Sequence, residues 1–294
     1  MQKARFAFLG AALVTLVGAC GSRDMNSSIE KMNEGVEMYN QGQFTAAEKK
    51  FLEATAMEKD NHSAWYNLGQ AREKLDKYKE AAEAFGEAVK SADGDAMYHY
   101  RYGKSLVGED CTPSKESNLE LARTQLERAT KLNARLYKAW ECLGQIYALA
   151  DEPKLAADAW TKSASLNPYF GKPFIALGKL YIKWDKLQEA ISVLDQGRLN
   201  VKDLGEQSDL LYHLGLAYEK QGNFDKAIEA YSQSIEKKSE NLDARRQRGF
   251  AYAAKGDKEK AKDDLSAFVK AGGGGNAFEL QAANERLMRL MGGE

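Results

Sequence analysis

Glycine recurs along this chain with a period that few folds can accommodate. Gly35, Gly69, Gly103, Gly144, Gly178, Gly215 and Gly249 are separated by 34, 34, 41, 34, 37 and 34 residues. An alanine follows each one: Ala47, Ala81, Ala122, Ala156, Ala190, Ala227 and Ala261. The gap is 12 residues in every case except Gly103 to Ala122, where it is 19. Four positions beyond each alanine stands a large side chain: Phe51, Phe85, Leu126, Trp160, Leu194, Tyr231 and Leu265. Helices approach to about 8–10 Å only where the contact residues are small, and a bulky neighbour then fills the space beside them. Seven such sets in register predict paired helices stacked in one dimension rather than around a single closed core. The composition agrees, with 44% hydrophobic and 29% charged residues among 294 and a formal net charge of −1. That balance carries no electrostatic footprint for nucleic acid.

The best-preserved copy runs from Trp65 to Ala88. Trp65-x-x-Leu68-Gly69 followed by Ala81-x-x-x-Phe85-x-x-Ala88 resembles the tetratricopeptide repeat, a helix-turn-helix unit of about 34 residues. The resemblance implies an all-α fold: a right-handed superhelix of about seven helix pairs with a C-terminal capping helix. The repeats are expected at 28–61, 62–95, 96–136, 137–170, 171–207, 208–241 and 242–271. Two are lengthened, the third by seven residues within Gly108–Asn118 and the fifth by three near Asn200–Gln207. The seventh is degraded, with Arg245 and Arg248 where tryptophan and leucine belong. Residues 272–294 read as a four-glycine hinge and a last helix, which either caps the array or docks on a partner.

The N-terminus reads differently. Lys3 and Arg5 precede the apolar stretch Phe6–Val17, the pattern of a secretory signal. Leu16-Val17-Gly18-Ala19-Cys20 resembles the bacterial lipobox, which implies cleavage before Cys20 and lipidation of that cysteine. An ordinary signal peptide with an incidental cysteine, or an uncleaved anchor, are the competing readings. Under the lipobox reading, residues 1–20 are the signal peptide and 21–27 a short polar tether. Gly21, rather than aspartate, after the cysteine implies the periplasmic face of the outer membrane. Cys111, in the repeat-three insertion, and Cys142 then remain as a candidate disulfide pair in an oxidising envelope. Parallel neighbouring helices set Cys142 beside residue 101, so the insertion must fold back for the pair to meet.

Catalytic chemistry finds little support. His62, His99 and His213 fall in different repeats without metal-ligand spacing, and no cofactor or metal site is expected. Gly103-Lys104-Ser105 resembles the end of a phosphate loop, but Tyr98 replaces its first glycine and the segment lies in a helix. In tetratricopeptide arrays the first helix of each pair lines a concave groove that holds extended peptides or helices. That position implies groove residues Met32, Asn33, Tyr66, Asn67, Gln70, Tyr100, Arg101, Lys104, Lys138, Gln145, Ile175, Lys179, Tyr212 and His213. Tyr66, Asn67, Tyr100, Arg101 and Lys104 form the densest patch of interface-type residues. A carboxylate clamp is not expected, because of its five positions (Met32, Val36, Asn67, Met97, Arg101) only Asn67 and Arg101 fit. Repeats and lipobox together resemble the lipid-anchored tetratricopeptide proteins of bacterial envelopes. These include pilotins, which assemble secretin rings for type IV pili, and adaptors for motility machines or peptidoglycan enzymes. The implied role is a non-enzymatic scaffold that binds envelope proteins. A Cys20→Ala form is expected to stay unlipidated when labelled with a clickable fatty acid in the producing cell; continued acylation would refute the lipobox.

Overall fold

The computed structural model describes residues 25–108, 111–113 and 118–292, and the signal segment and Cys20 lie outside them. All regular structure among the described residues is helical. The helices are α1 (25–40), α2 (Phe44–Met57), α3 (His62–Glu73), α4 (Tyr78–Ser91), α5 (Ala96–Val107), α6 (Leu119–Leu132), α7 (Tyr137–Leu149) and α8 (Pro153–Leu166). They continue as α9 (Lys172–Lys183), α10 (Leu187–Asn200), α11 (Leu204–Lys220), α12 (Phe224–Lys237), α13 (Leu242–Lys255), α14 (Lys258–Lys270) and α15 (Ala277–Gly292). The chain divides into two compact units, residues 1–146 and 147–294. Residues 25–27, expected in the tether, are already helical.

The repeated small residues do what their spacing requires. All seven alanines are wholly inaccessible, and the seven large residues four positions later are at most 4% exposed. Gly69 shows why the first helix needs glycine. A Cβ there would stand 2.6 Å from the Phe85 ring, inside van der Waals contact. Seven residues after the repeat glycine, each of the six described positions is left-handed backbone. Gly42, Gly222 and Gly256 occupy that position in three of them, and Asp76, Asp151 and Asp185, with φ of 58°, 57° and 60°, in the others. Short polar side chains are the non-glycine residues that tolerate this region best.

Junctions between repeats carry a buried polar clasp. Asn61 accepts from the Ala64 N–H, capping α3, and donates from Nδ2 to Ser28 Oγ at 2.8 Å. Ser28 Oγ in turn donates to the Ala54 carbonyl at 2.8 Å. Asn241 repeats the arrangement in the second unit, capping α13 and donating to Ser208 and Ser234 at 3.0 Å each. These bonds satisfy groups that burial would otherwise leave unpaired.

A second regularity escaped the sequence. In four repeats the side chain four residues before the repeat glycine donates to the carbonyl six residues before itself. Trp65 Nε1 reaches Lys59 O at 2.8 Å, and Trp140 Nε1 reaches Ala134 O at 3.0 Å. His99 Nε2 reaches Asp93 O at 2.9 Å, and Arg245 Nη2 reaches Ser239 O at 3.4 Å. Arg245 therefore keeps the donor that tryptophan supplies elsewhere. Arg248, in place of leucine, makes a two-pronged bond to Asp264, with Nε and Nη2 each 2.7 Å from a carboxylate oxygen. Repeat seven thus exchanges apolar packing for a paired ion, the geometry in which arginine binds a carboxylate most strongly.

The extra residues of repeat five do not lengthen the link. They extend α11 to 17 residues, capped by Asp203, and only residues 201–203 connect it to α10. Gly272–Gly275 form a tight turn in which all four glycines have positive φ and Gly273 is buried against Leu280. α15 then lays Ala283, Leu287 and Leu290 on Leu265 and Phe268 of α14, the packing of a cap on a terminal repeat. No described helix is long and apolar enough to cross a membrane. Asp76→Val should lower stability by about 1–2 kcal/mol in a denaturant titration, while Asp76→Gly should not, because a β-branched residue is disfavoured in left-handed backbone.

Candidate functional site

In the first unit the first-helix face is built on an aromatic base. Tyr66 of α3 stacks on Tyr98 of α5 with centroids 4.8 Å apart and planes at 27°, and its other neighbour is Phe85 at 5.6 Å. The Tyr98 hydroxyl and His62 Nδ1 share a hydrogen bond of 2.9 Å. Burial raises the Tyr66 phenol pKa, with the nearby Arg101 cation opposing. The stacked ring is held by two helices at once, so its position is set before any ligand arrives.

Glu73 organises the cations of the same face. Only 9% of its side chain is exposed, and it accepts from Arg101 at 2.9 Å, Lys104 at 3.4 Å and Ser105 at 3.0 Å. Arg101 and Lys104 are therefore committed within the fold rather than held ready for an acidic partner. The residues lie 28 and 31 positions after Glu73, in the neighbouring repeat, and the repeat pattern carries no signal that pairs them. Tyr100 is a clearer correction. Expected on the groove, it is 7% exposed, and burial pushes its phenol pKa far up. A ring packed inside cannot also anchor a ligand. Asn33 and Lys138 are exposed, Asn67, Gln70 and Gln145 half-buried, and Gln145 donates to Glu141 at 3.4 Å.

The insertion of repeat three does fold back. Gly108 at φ 123° and Cys111 at φ 57° redirect the chain, and Cys111 forms a disulfide with Cys142 across a Cα–Cα distance of 5.4 Å. Closing a loop between residues 31 apart in sequence stabilises the folded chain by about 3–4 kcal/mol on a chain-entropy basis. Among the described residues, one group has metal-ligand chemistry: Cys111, Cys142 and Glu141, with ligand atoms within 4.8 Å of one another. Its two sulfurs are bonded to each other and so are not metal ligands in this form.

The second unit presents a different face. Lys179 of α9 is exposed, whereas His213 of α11 is largely enclosed beside Tyr212, with ring centroids 5.0 Å apart. Burial, reinforced by the Lys179 charge, pushes the His213 pKa down to about 4. Burial likewise raises the carboxyl of Asp209, one turn away. Arg246 is 8% exposed and bonds Glu279 of the last helix at 3.0 Å, so it closes the array rather than the face.

Comparison with known proteins agrees with this geometry. Tetratricopeptide-repeat family models match residues 33–104 and 208–241. Among solved structures, the chain is similar to YrrB, a tetratricopeptide protein with an unusual peptide-binding site. There the identity is 20% and the TM-score 0.52, over 66% of this chain and 95% of that one. It is also similar to pilF of Pseudomonas aeruginosa, at 17% identity and a TM-score of 0.60 over 75% and 96% of the two chains. PilW, a type IV pilus biogenesis factor, matches at 18% identity and a TM-score of 0.58 over 74% and 96%. A curated relative, the general transcriptional corepressor trfA of Dictyostelium discoideum, is 24% identical over 111 residues. That match spans 38% of this chain and only 8% of trfA. The chain carries tetratricopeptide repeats and has the all-α repeat fold of such proteins.

The buried histidine makes stability depend on pH. Its unfolded pKa is near 6.5 and its folded value about 4, so the unfolded chain holds the proton more tightly. Its contribution is complete above about pH 6.5 and declines as the pH falls toward 4. His213→Gln is expected to remove on the order of 2 kcal/mol of that decline, read from urea titrations at pH 7 and pH 4. Equal slopes in both proteins would show that the ring is not held neutral.

Proposed function

We propose that this protein is a non-enzymatic scaffold, lipid-anchored through Cys20 at the periplasmic face of the outer membrane. It holds an envelope protein on the first-helix face of its repeats. The observation behind the binding reading is the row Asn33, Asn67 and Gln70, polar and accessible beside the braced Tyr66 ring. Amides offer both donors and acceptors to an extended backbone, and a fixed aromatic supplies contact area at little entropic cost. The anchor rests on the lipobox residues alone, and the outer-membrane assignment on Gly21.

A pilotin-type role is the second reading. It draws on the lipobox together with a fold shared along nearly the whole length of pilF and PilW. Seven repeats and the insertion in repeat three depart from the usual pilotin form, and the general scaffold is the reading retained. An adaptor for peptidoglycan enzymes would differ in its partners rather than in its binding face.

Asn67→Ala combined with Gln70→Ala is expected to weaken capture of the partner at least about tenfold, since each lost amide contact is worth about 1 kcal/mol. The readout is in-cell crosslinking of the tagged protein followed by mass spectrometry, with helicity and membrane attachment unchanged. An unaltered partner profile would move the working face elsewhere, and a dominant secretin among the partners would favour the pilotin role.

A further inference from the structure

Cys111 leaves its own helix pair to meet repeat four, and burial records the result. In repeat register Glu141 and Cys142 correspond to the pairs Met32/Asn33, Tyr66/Asn67, Tyr100/Arg101, Ile175/Ala176, Tyr212/His213 and Arg246/Gln247. Every one of those pairs keeps at least one side chain exposed or half-exposed. Glu141 and Cys142 are both closed, at 5% and 1%. Cys111, itself 3% exposed, is what the chain brings onto them. Two left-handed residues, Gly108 and Cys111, make the reversal, and the Cys111 N–H donates back to the Gly108 carbonyl at 3.3 Å.

We propose that residues 111–113 are a built-in occupant of the repeat-four face, latched by the Cys111–Cys142 disulfide and released when a dithiol reduces it. A thiolate of the reductant attacks one sulfur and displaces the other as thiolate, which takes a proton. The second thiol of the reductant then resolves the mixed disulfide. Two electrons and two protons pass to the protein, Cys111 and Cys142 end as thiols, and the reductant leaves as a disulfide. Both sulfurs are buried, so attack waits on a local opening that exposes one of them, and residues 111–113 are freed only once the bond has broken. The latch is thereby protected from casual exchange.

Release returns Glu141 and Cys142 to the accessibility their counterparts have elsewhere. It extends the first-helix face of repeats two and three by one repeat. The inference concerns the chain's own occupant and stands whatever partner uses the face.

The test uses the full-length chain in a Cys20→Ala background. Cys111→Ser leaves Cys142 as a reporter thiol, and its reaction with Ellman's reagent is timed in native buffer and in denaturant. Native reactivity within about tenfold of the denatured rate is expected, with the helical circular dichroism unchanged, because the face then opens freely. Protection of about a hundredfold or more would show that the insertion stays seated without the bond and would overturn the latch. Should Cys111→Ser lose helicity, the Cys20→Ala chain is reduced with a phosphine and followed by hydrogen exchange. Faster exchange confined to Val107–Asn118 and Tyr137–Ile146 supports release. Faster exchange across all of α1–α6 overturns it, because the bond would then be holding up the unit.

Discussion

The contact on which everything else rests is a glycine against a large side chain. Gly69 under Phe85 sets the separation of α3 and α4, since any Cβ would collide with the ring. Gly35 meets Phe51 with the same 2.6 Å clearance. That separation lets the wholly buried alanines sit in the crossing, and the pair becomes a rigid block. Each block buries its remaining apolar surface on the next. Stability is thus local and additive along each unit, as in other stacked repeats.

Polar groups enter this apolar stack under strict terms. Asn61 and Asn241 each cap a helix and bridge to serines of the preceding repeat, so their burial leaves no amide unpaired. Arg248 and Asp264 follow the same rule at the end of the array, where two bonds of 2.7 Å neutralise a half-buried cation. Terminal repeats face water sooner, and a paired ion there costs less desolvation than it would mid-array.

The first-helix face is uneven for related reasons. Glu73 draws Arg101 and Lys104 inward, Tyr100 turns into the core, and the disulfide closes repeat four. What is left for a partner in the first unit is the amide row beside Tyr66. Residue type and repeat position alone marked all of these as equivalent. They could not reveal which cations already had a counter-charge, because Glu73 belongs to the neighbouring repeat.

The class of fold, the helix pairs and the residues of their crossings were legible in residue spacing alone. A period near 34, with glycine, alanine and a bulky residue at offsets that hold in six of the seven repeats, is met locally by paired helices. The sequence also brought Cys111 and Cys142 into consideration as a pair. Folding settled which first-helix residues are open, that three extra residues in repeat five become a helical turn, and that Arg245 stands in for tryptophan as a donor. The first depends on side chains from the adjacent repeat, such as Glu73 against Arg101 and Lys104, and the other two on local hydrogen bonds that residue spacing does not specify.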